Sequence, residues 1–543
     1  MNASPTQFDA VIVGYGPTGM TLASLLGQLG HRVAVVERWP QLYGLPRLTH
    51  IDGETARLIS LAGDGDHALR EAWTTPHYNW LNGKGKLLMD VAQGNTRRMI
   101  WDDHLSVHQP HIEDAIHERI LSLPNVVLFR GYEALELQQS DGRASLTIQP
   151  WTKRQASGHG ATPSAVDRTT LQARYLIGAD GSNSFVRGAV GVDRQDFGFN
   201  ERWLCVDTMP KRPLPARFNE DAVQVCDPKR GYMFMPIGRR RQRFEFALLP
   251  HETTEAMSQP EAAWGLLEKY HGLGAEDLNV MRHLVYTFEC RLARRWREGN
   301  VFLAGDACHT NPPYLGQGAC SGMRDANNLA WKLDLVLRGL AGEALLDSYE
   351  TERLPHVRTL MRQARSLGLV ANTSNPVKAA VRDLVFRLKL APKPEFPVLC
   401  DGVLQRSADG KLGQLAGSLP DQGHLLVDGR RMRLDELTGY GFTLLMRGAA
   451  AATLLPTTRQ TLEPHGVKLL EMETATPAAL FTQVLDVDGV YRRLLDGLGA
   501  DAVLLRPDFV LFGHSPAARV QALVEGFLTH LRQREPASDA MAV

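Results

Sequence analysis

The sequence predicts an α/β fold with more than one domain, and three observations support this. The chain has 543 residues and 60.1 kDa, which is too long for one compact core. Near its start, a strand pattern, a glycine-rich turn and an apolar helix pattern follow one another, as in a βαβ unit. Two later strand patterns also end in a turn of glycine and aspartate that leads into a helix. These repeated strand–loop–helix junctions indicate ligand binding at the ends of strands.

The first junction has the pattern of a nucleotide-binding unit. Phe8–Val13 and His31–Glu37 read as buried strands, and Met20–Leu29 reads as the helix between them. The turn before the helix is Gly14-Tyr-Gly16-Pro-Thr-Gly19, a G-x-G-x-x-G fingerprint in the context that makes it specific. We therefore predict a Rossmann-like unit. The alternative is an ordinary βαβ unit with incidental glycines.

Each residue of the fingerprint has an expected role. Gly14 permits the tight turn, Gly16 lets the backbone approach a pyrophosphate, and Gly19 lets the helix pack closely on the strand. Glu37 ends the second strand and is expected to accept hydrogen bonds from an adenosine ribose. An acidic residue at this position disfavours a 2′-phosphate on the resident nucleotide.

The two later junctions each provide a carboxylate. Tyr175–Ile177 is followed by Gly178-Ala-Asp180-Gly181, and Val301–Ala304 is followed by Gly305-Asp306 and two prolines. A helix pattern starts near Ser321. A carboxylate beside free N–H groups at a helix start suits a ligand with sugar hydroxyls and an anion-forming ring.

Composition narrows the class of protein. Lys+Arg and Asp+Glu are equal at 60 each, which gives no reason to expect nucleic acid or an anionic membrane as a partner. The apolar runs are shorter than a membrane span, and we expect no leader peptide. The six cysteines show neither C-x-x-C nor metal-finger spacing. We expect a cytoplasmic protein with reduced thiols and no metal site.

The segment after the fingerprint holds two candidate catalytic residues. If Thr49–Asp52 is extended, His50 and Asp52 point to the same side and could meet a substrate hydroxyl. The alternative is a hydrogen-bonded turn before a helix over 54–62.

The middle and the end of the chain predict two further units. Val223–Cys226, Tyr232–Pro236 and Phe244–Leu249 read as strands of an inserted sheet, which could roof a second, smaller ligand. Residues 153–168 read as a polar hairpin tip. Prolines near Ala391–Pro397 mark a linker, beyond which strand and helix patterns alternate. No cysteine follows Cys400, so the tail is predicted to carry no disulfide chemistry.

Together these motifs resemble the single-component (class A) FAD-dependent aromatic hydroxylases, most of all the 3-(3-hydroxyphenyl)propionate hydroxylases. The resemblance rests on the three junctions in this order and spacing and covers nearly the whole chain. It also includes these segments: Leu45-Pro-Arg47, Cys226-Asp-Pro228, Arg243-Phe-Glu-Phe246, Gly316-Gln-Gly318, Ser321-Gly-Met-Arg-Asp-Ala326 and Asn328-Leu-Ala-Trp-Lys-Leu333.

The resemblance implies a p-hydroxybenzoate hydroxylase-like architecture. An FAD-binding domain would span residues 1–395 in three parts, about 1–75, 100–200 and 285–395. A mixed β-sheet substrate domain would be inserted at about 76–99 and 201–284. Residues 396–543 would form a thioredoxin-like α/β domain with a structural or dimer-supporting role, which allows a homodimer.

The resemblance also implies the cofactors and their contacts. FAD would be resident, NADH or NADPH would visit without a Rossmann domain of its own, and O2 would be the co-substrate. Arg47 and Gln109 would lie beside the pyrophosphate and the ribityl chain, and Asp306 would bind ribityl hydroxyls. Pro313 and the Gly316–Ala319 backbone would line the isoalloxazine. The expected FAD contacts are Gly14, Gly16, Pro17, Thr18, Gly19, Glu37, Arg38, Arg47, Gln109, Asp180, Gly181, Gly305, Asp306, Pro313, Gly316, Gln317, Gly318 and Ala319.

The implied reaction is ortho-hydroxylation of a phenol through a flavin C4a-hydroperoxide, with a 3-(3-hydroxyphenyl)propionate-like acid as the expected substrate of aromatic catabolism. His50 and Asp52 are the candidates for activating the phenol, with Tyr232 and Tyr314 as fallbacks. Two alternatives stay open. One is a hydroxylase or epoxidase of a larger aromatic, such as a polyketide or quinolone, in the same fold. The other is a non-enzymatic FAD-binding redox sensor.

Overall fold

The computed structural model describes residues 6–90, 96–151, 168–391, 395–472 and 481–532. The predicted hairpin tip at 153–168 lies almost wholly outside these ranges. The strands of the described residues are β1 (Gln7–Val13), β2 (Val33–Glu37), β3 (His50–Ile51), β4 (Trp73–Thr74), β5 (Tyr78–Asn82), β6 (Leu87–Asp90), β7 (Leu105–Ser106), β8 (Val126–Arg130), β9 (Tyr132–Ser140), β10 (Arg143–Pro150), β11 (Thr169–Gly178), β12 (Arg194–Pro210), β13 (Ala222–Cys226), β14 (Tyr232–Ile237), β15 (Arg241–Ala247), β16 (Leu278–Ala293), β17 (Arg297–Glu298), β18 (Val301–Leu303), β19 (His309–Thr310), β20 (His424–Val427), β21 (Arg430–Arg433), β22 (Thr443–Arg447), β23 (Lys468–Met472), β24 (Thr482–Asp486), β25 (Ala502–Leu505) and β26 (Leu511–Ser515).

The α-helices of the same ranges are α1 (Pro17–Gln28), α2 (Gly53–Ala62), α3 (Gly65–Ala68), α4 (Gln109–Leu121), α5 (Phe185–Ala189), α6 (Arg217–Glu220), α7 (Thr254–Met257), α8 (Pro260–His271), α9 (Gly318–Leu337), α10 (Ser348–Ala371), α11 (Pro376–Arg387), α12 (Leu434–Thr438), α13 (Pro456–Leu462), α14 (Val490–Leu498) and α15 (Val520–Arg532). Within the described ranges, no helix is both long enough and apolar enough to span a lipid bilayer.

The first sheet collects the three predicted junctions. Its strand order is β17-β18-β11-β1-β2-β8, and β1 pairs in parallel with both β2 and β11, while β18 pairs in parallel with β11. The carboxyl ends of β1, β11 and β18 therefore meet at one edge, where ligands bind in open α/β sheets. The predicted strand and helix of the first βαβ unit are confirmed as β1 and α1.

A second sheet lies over that edge. Its order is β19-β16-β12-β15-β14-β13-β5-β6, and it is mixed because β13 and β5 run in parallel. One face packs on α6 and α8 through an apolar cluster that includes Phe218, Phe244 and Leu267. The other face is left to cover the strand ends of the first sheet. The predicted strands around residues 223, 232 and 244 are confirmed as β13, β14 and β15.

The tail forms a third mixed sheet with the order β21-β20-β24-β23-β22-β25-β26. The α/β class with mixed sheets is therefore confirmed. The thioredoxin-like assignment of the tail and the domain boundaries stay predictions. All six cysteines are free thiols, and Cys400 is the exposed one.

The long helix α9 connects the first sheet to the tail. An apolar stripe along it, formed by Met323, Ala326, Ala330 and Leu333, is fully buried. The opposite, polar face is buried as well, because α10 packs on it and the tail residues Asp508 and Tyr440 bond to it. Residues such as Lys332 consequently sit in the interior and need charged partners.

Candidate functional site

In the fingerprint turn between β1 and α1, one glycine faces open space that a ligand could occupy, and the other two pack tightly against the protein backbone. A Cβ on Gly14, whose φ is +106°, would lie 2.3 Å from the carbonyl oxygen of Ala179. A Cβ on Gly19 would lie 2.1 Å from the carbonyl oxygen of Gly14. A Cβ on Gly16 would meet no atom within 4 Å. Gly14 and Gly19 therefore close the turn, while Gly16 leaves open space at the start of α1, where a pyrophosphate would bind.

Glu37 at the end of β2 is held in place by two backbone donors. Its Oε2 accepts a hydrogen bond from the N–H of Tyr15 at 2.9 Å, and its Oε1 accepts one from the N–H of Trp39 at 2.9 Å. Arg38, between Glu37 and Trp39 in the chain, places its guanidinium 5.5 Å from the ring centre of Trp39. The carboxylate is thus fixed beside the fingerprint turn, as a ribose contact requires.

The junction after β11 is also anchored before any ligand binds. Asp180 accepts hydrogen bonds from Ser184 Oγ at 2.5 Å and from the N–H of Val186 at 3.1 Å, which caps the first turn of α5. Burial raises the pKa of Asp180 despite these donors. Gly181 has a φ of +84° and open space at its Cβ position. The backbone at Gly181 is therefore accessible to a ligand. The Asp180 carboxylate already accepts hydrogen bonds from the start of α5.

The junction after β18 provides both a carboxylate and a helix start. Gly305 has a φ of +62°, and a Cβ there would lie 2.6 Å from Oγ1 of Thr18, so this glycine fixes the loop. The side chain of the next residue, Asp306, is exposed to the cavity. The helix α9 then starts at Gly318, and its first backbone bond within the helix is from the N–H of Ser321 to the carbonyl of Gln317. The preceding N–H groups at residues 318–320 lack such bonds and can stabilise negative charge.

Arg47 and Gln109 are joined directly. The Oε1 of Gln109 accepts hydrogen bonds from the N–H of Arg47 at 2.8 Å and from the N–H of Leu48 at 2.6 Å. Its Nε2 donates to Glu113, whose pKa burial raises to about 7. The Arg47 guanidinium lies over the ring of Tyr43 at 4.1 Å. Gln109 thus shapes the loop that presents Arg47 to the cavity.

These residues line one cavity of 1420 Å³ together with the inner face of the second sheet. Gly19 and Gly305 stand behind its wall, where they pack against other loops. The predicted contacts on the wall are Gly14, Gly16, Pro17, Thr18, Glu37, Arg38, Arg47, Gln109, Asp180, Gly181, Asp306, Pro313, Gly316, Gln317, Gly318 and Ala319.

The two catalytic candidates, His50 and Asp52, occupy different positions. The segment is not a continuous strand, because Asp52 is the N-cap of α2 and accepts from the N–H and Oγ1 of Thr55 at 2.8 and 2.7 Å. Its Oδ2 also accepts from Gln317 Nε2 at 3.0 Å and from the buried Arg324. Burial opposes ionisation, yet Arg324 and the other donors hold the pKa of Asp52 well below its ordinary value. Asp52 is therefore a positioning group and a poor proton acceptor.

His50 remains available as a base. Its Nε2 lies 3.2 Å from Nδ1 of His104, and its Nδ1 is buried with no hydrogen-bond partner among the described residues. A Cβ on Gly316 would lie 2.7 Å from that Nδ1, so the ring packs directly under the turn before α9. Burial and the neighbouring His104 lower the pKa of His50 to about 4. His50 is consequently neutral at pH 7, and His104 is a partner that sequence reasoning missed.

The structure places Tyr232 outside the site, contrary to the fallback prediction. Its ring packs against Tyr270 and His271 of α8, at centroid distances of 4.8 and 5.5 Å, on the helix-covered face of the second sheet. Side chains alternate along a strand, so the neighbours Met233 and Met235 face the cavity instead.

Tyr314 lines the cavity, but its hydroxyl group is committed to a polar cluster. It donates to Oε2 of Glu201 at 2.9 Å, and Asn372 contacts both groups. Trp203 Nε1 donates to the same carboxylate at 3.2 Å. Burial and Glu201 raise the pKa of Tyr314 well above its ordinary value. Tyr314 thus serves as a fixed wall, and Glu201 is the residue that orients it.

Comparison with known proteins agrees with this geometry. The FAD binding domain family matches residues 7–364, and the HcaD C-terminal domain family matches residues 421–530. A probable NADH-specific resorcinol 4-hydroxylase of Rhodococcus jostii (strain RHA1) is 34% identical over 516 residues, which cover 93% of this chain and 91% of the relative. The 3-(3-hydroxy-phenyl)propionate/3-hydroxycinnamic acid hydroxylase of Comamonas testosteroni is 32% identical over 458 residues, 78% of this chain and 74% of the relative.

The chain belongs to the FAD-dependent aromatic hydroxylases.

Solved structures support the same fold. The anhydrotetracycline hydroxylase OxyS from Streptomyces rimosus has a TM-score of 0.74 at 23% identity, covering 97% of this chain and 99% of that one. A complex of aklavinone-11 hydroxylase with FAD and aklavinone has a TM-score of 0.76 at 21% identity, covering 97% of this chain and 100% of that one. As an FAD-dependent monooxygenase, this hydroxylase has an open turn at Gly16 and free N–H groups at the start of α9, both of which fit the cofactor.

Proposed function

We propose that this hydroxylase is an NAD(P)H-dependent enzyme of aromatic catabolism that inserts one oxygen atom of O2 ortho to the hydroxyl of a small phenol. The observation that supports this most is the cavity of 1420 Å³, which joins the nucleotide turn to the inner face of the second sheet. A cofactor and a small aromatic ring could therefore meet inside one cavity, as oxygen transfer requires.

FAD would be held by the residues that already line the strand ends. Gly16 and Arg47 would face the pyrophosphate, Glu37 the adenosine ribose and Asp306 the ribityl chain. The N–H groups at the start of α9 would lie by the isoalloxazine. When bound, FAD supplies the electron transfer from the nicotinamide and the activation of oxygen. The described chain has one glycine fingerprint, so we propose that NADH or NADPH binds transiently at the same cavity.

His50 is the proposed base for the phenol proton. The ring is neutral at pH 7, so it has a lone pair that can accept a hydrogen bond, and then the proton, from a substrate hydroxyl; its lowered pKa of about 4 makes it a weak base. The adjacent His104, 3.2 Å away, could share that proton and so spread its charge over two rings. Asp52 and Arg324 would support the Gly316 turn from behind.

We also propose the division into an FAD-binding part at 1–395 with an inserted sheet and a tail at 396–543 without redox chemistry. The tail contributes wall residues such as Asp508 and Val510 to the cavity, and Arg506 bonds Glu352 of α10 at 2.7 Å. A structural role for the tail explains both contacts. A homodimer is part of the same proposal.

The test is a phenol screen on purified, FAD-loaded protein. NAD(P)H oxidation should accelerate several-fold with a coupled phenol, little peroxide should accumulate, and label from ¹⁸O2 should enter the ring next to the hydroxyl. Bound FAD whose reduction no aromatic compound accelerates would contradict an enzymatic role and favour a redox sensor. Label in an epoxide or in a ring-expanded ester would contradict hydroxylation while keeping the family.

A further inference from the structure

We propose that the substrate is an uncharged phenol, such as a dihydroxybenzene or an alkylphenol, and not a hydroxyaryl carboxylate. This inference rests on the proposed function and replaces the acid expected from the family resemblance.

The register of the second sheet brings four side chains into one row. Gln224 pairs with Met233, Met233 pairs with Glu245, and Glu245 pairs with Cys205 across four adjacent strands. Paired residues point to the same face of a sheet, and all four line the cavity. The row offers an amide, a thioether, a carboxylate and a thiol. The carboxylate of Glu245 is the group in this row that carries a negative charge when it is ionised.

Glu245 makes this part of the cavity wall unfavourable for binding an anion. Glu245 is 5% exposed, and its carboxylate lies 3.7 Å from Nη1 of Arg243. Burial raises the pKa of Glu245 against the pull of Arg243, so its environment already disfavours negative charge. A second carboxylate placed there would be repelled, whereas a phenol hydroxyl could donate a hydrogen bond to Glu245.

Arg243 is a cation beside the row, and four of its five N–H donors are already used. Its Nε and Nη2 donate to Asp207 at 2.7 and 3.2 Å. Its Nη2 and Nη1 also donate to the carbonyls of Pro46 and Arg47 at 2.7 and 3.1 Å. Arg243 is 5% exposed and therefore serves to join the sheet to the 46–47 loop. It has one N–H left, on Nη1, and cannot form a bidentate pair with a carboxylate without giving up a buried partner.

Of the other arginines that line the cavity, in the part of the chain that the structure describes, three are ion-paired and two lie over aromatic rings. Arg324 bonds Asp52 and Glu54, and Arg353 bonds Asp325 at 3.0 Å. Arg98 bonds Asp421 at 2.7 Å, in contact with the tail. Arg38 lies against Trp39, and Arg47, the proposed pyrophosphate contact, lies against Tyr43. No lysine of the described residues lines the cavity. Among the described residues of the cavity wall, the arginines outside ion pairs are thus the two predicted to contact FAD, which leaves none beside the row to recognise a substrate carboxylate.

The deciding experiment compares ligands that differ only in charge. FAD-loaded protein is assayed with 3-(3-hydroxyphenyl)propionate, its methyl ester and 3-propylphenol, with resorcinol as a fourth compound. We expect kcat/KM for phenol-stimulated NADH oxidation to be at least about tenfold higher for a neutral compound than for the acid. Dissociation constants from the flavin absorbance change should follow the same order. An acid that equals or exceeds its ester overturns this inference and leaves the proposed function intact. If no phenol stimulates oxidation, the proposed function fails and this inference fails with it.

Two variants test whether Glu245 carries the effect. Glu245→Gln should narrow the ratio of ester to acid several-fold, and Gln224→Glu, in the same row, should widen it. Met233→Leu is the matched control, since it changes the shape of the row but not its charge, and its ratio should stay at the wild-type value. If Glu245→Gln fails to load FAD, the Gln224→Glu ratio decides. An unchanged ratio in the variants that load FAD would overturn the electrostatic assignment.

Discussion

Replacing Arg506 by methionine should weaken the attachment of the tail to the FAD-binding part, with a loss of about 3–5 kcal/mol in the free energy of unfolding. Arg506 is buried, and its guanidinium donates to Glu352 at 2.9 and 2.7 Å and to Asp508 at 2.9 and 2.5 Å. It also donates to the carbonyl of Val403 at 3.0 Å. Methionine would fill part of the volume but would replace none of these bonds.

The magnitude follows from the charges that remain. The wild-type cluster holds two cations, Arg506 and Lys332, and two anions, Glu352 and Asp508. The variant leaves Glu352 with Lys332, 2.9 Å away, while Asp508 keeps the amide of Asn328 at 2.8 Å as its side-chain donor among the described residues. One buried carboxylate is then uncompensated. Removing one partner of a buried pair has this cost because the remaining charge, on a residue that is only 5% exposed, is poorly hydrated.

The assay is urea unfolding followed by two signals, flavin fluorescence for the FAD-binding part and proteolytic cleavage for the tail. Arg295→Met is the control, because its pair with Glu298 is exposed and should be worth less than about 1 kcal/mol. We expect Arg506→Met to lower both transitions and to expose the linker near residue 395 to protease. A loss below about 1 kcal/mol, equal to that of the control, would refute the reasoning that this cluster anchors the tail.

Four further outcomes can be checked in parallel. Gly16→Val should abolish FAD retention on gel filtration, because a branched side chain would fill the open space at the start of α1. His50→Gln should lower the hydroxylation rate at pH 7 by about 10²-fold or more with FAD still bound, measured by product formation. Tyr232→Phe should change kcat/KM by less than about twofold, since its ring lies on the helix-covered face. Stability should fall as the pH drops from about 6.5, where unfolded histidine takes up protons, toward the lowered pKa values of His50 (about 4) and His271 (about 3), as measured by the thermal midpoint.

The strand ends of the first sheet could be predicted because local sequence sets their geometry. A Cβ added at Gly14 or Gly19 would lie within 2.3 Å of a backbone atom, so only glycine fits, and that requirement is visible as a spacing. Asp52 shows the limit of the same reasoning. Its role as the N-cap of α2 could be predicted from the Asp-Gly-Glu-Thr pattern. Its ion pair with Arg324, however, joins positions 272 residues apart. No local pattern specifies such a contact.

Predicting the residues on the opposite wall of the cavity required knowing which face of a strand turns inward. Tyr232 and Met233 are adjacent, and a strand that alternates polar and apolar residues would have shown which of them faces the ligand. β14 is apolar on both faces, because one packs on α8 and the other lines the cavity. The neighbouring strand β15 shows which face turns inward, because Arg243 and Glu245 alternate with Phe244 and Phe246. Two charged side chains in a buried strand must lie on the face where water or a partner can stabilise them. Antiparallel pairing then places Met233 opposite Glu245, which assigns Tyr232 to the other side.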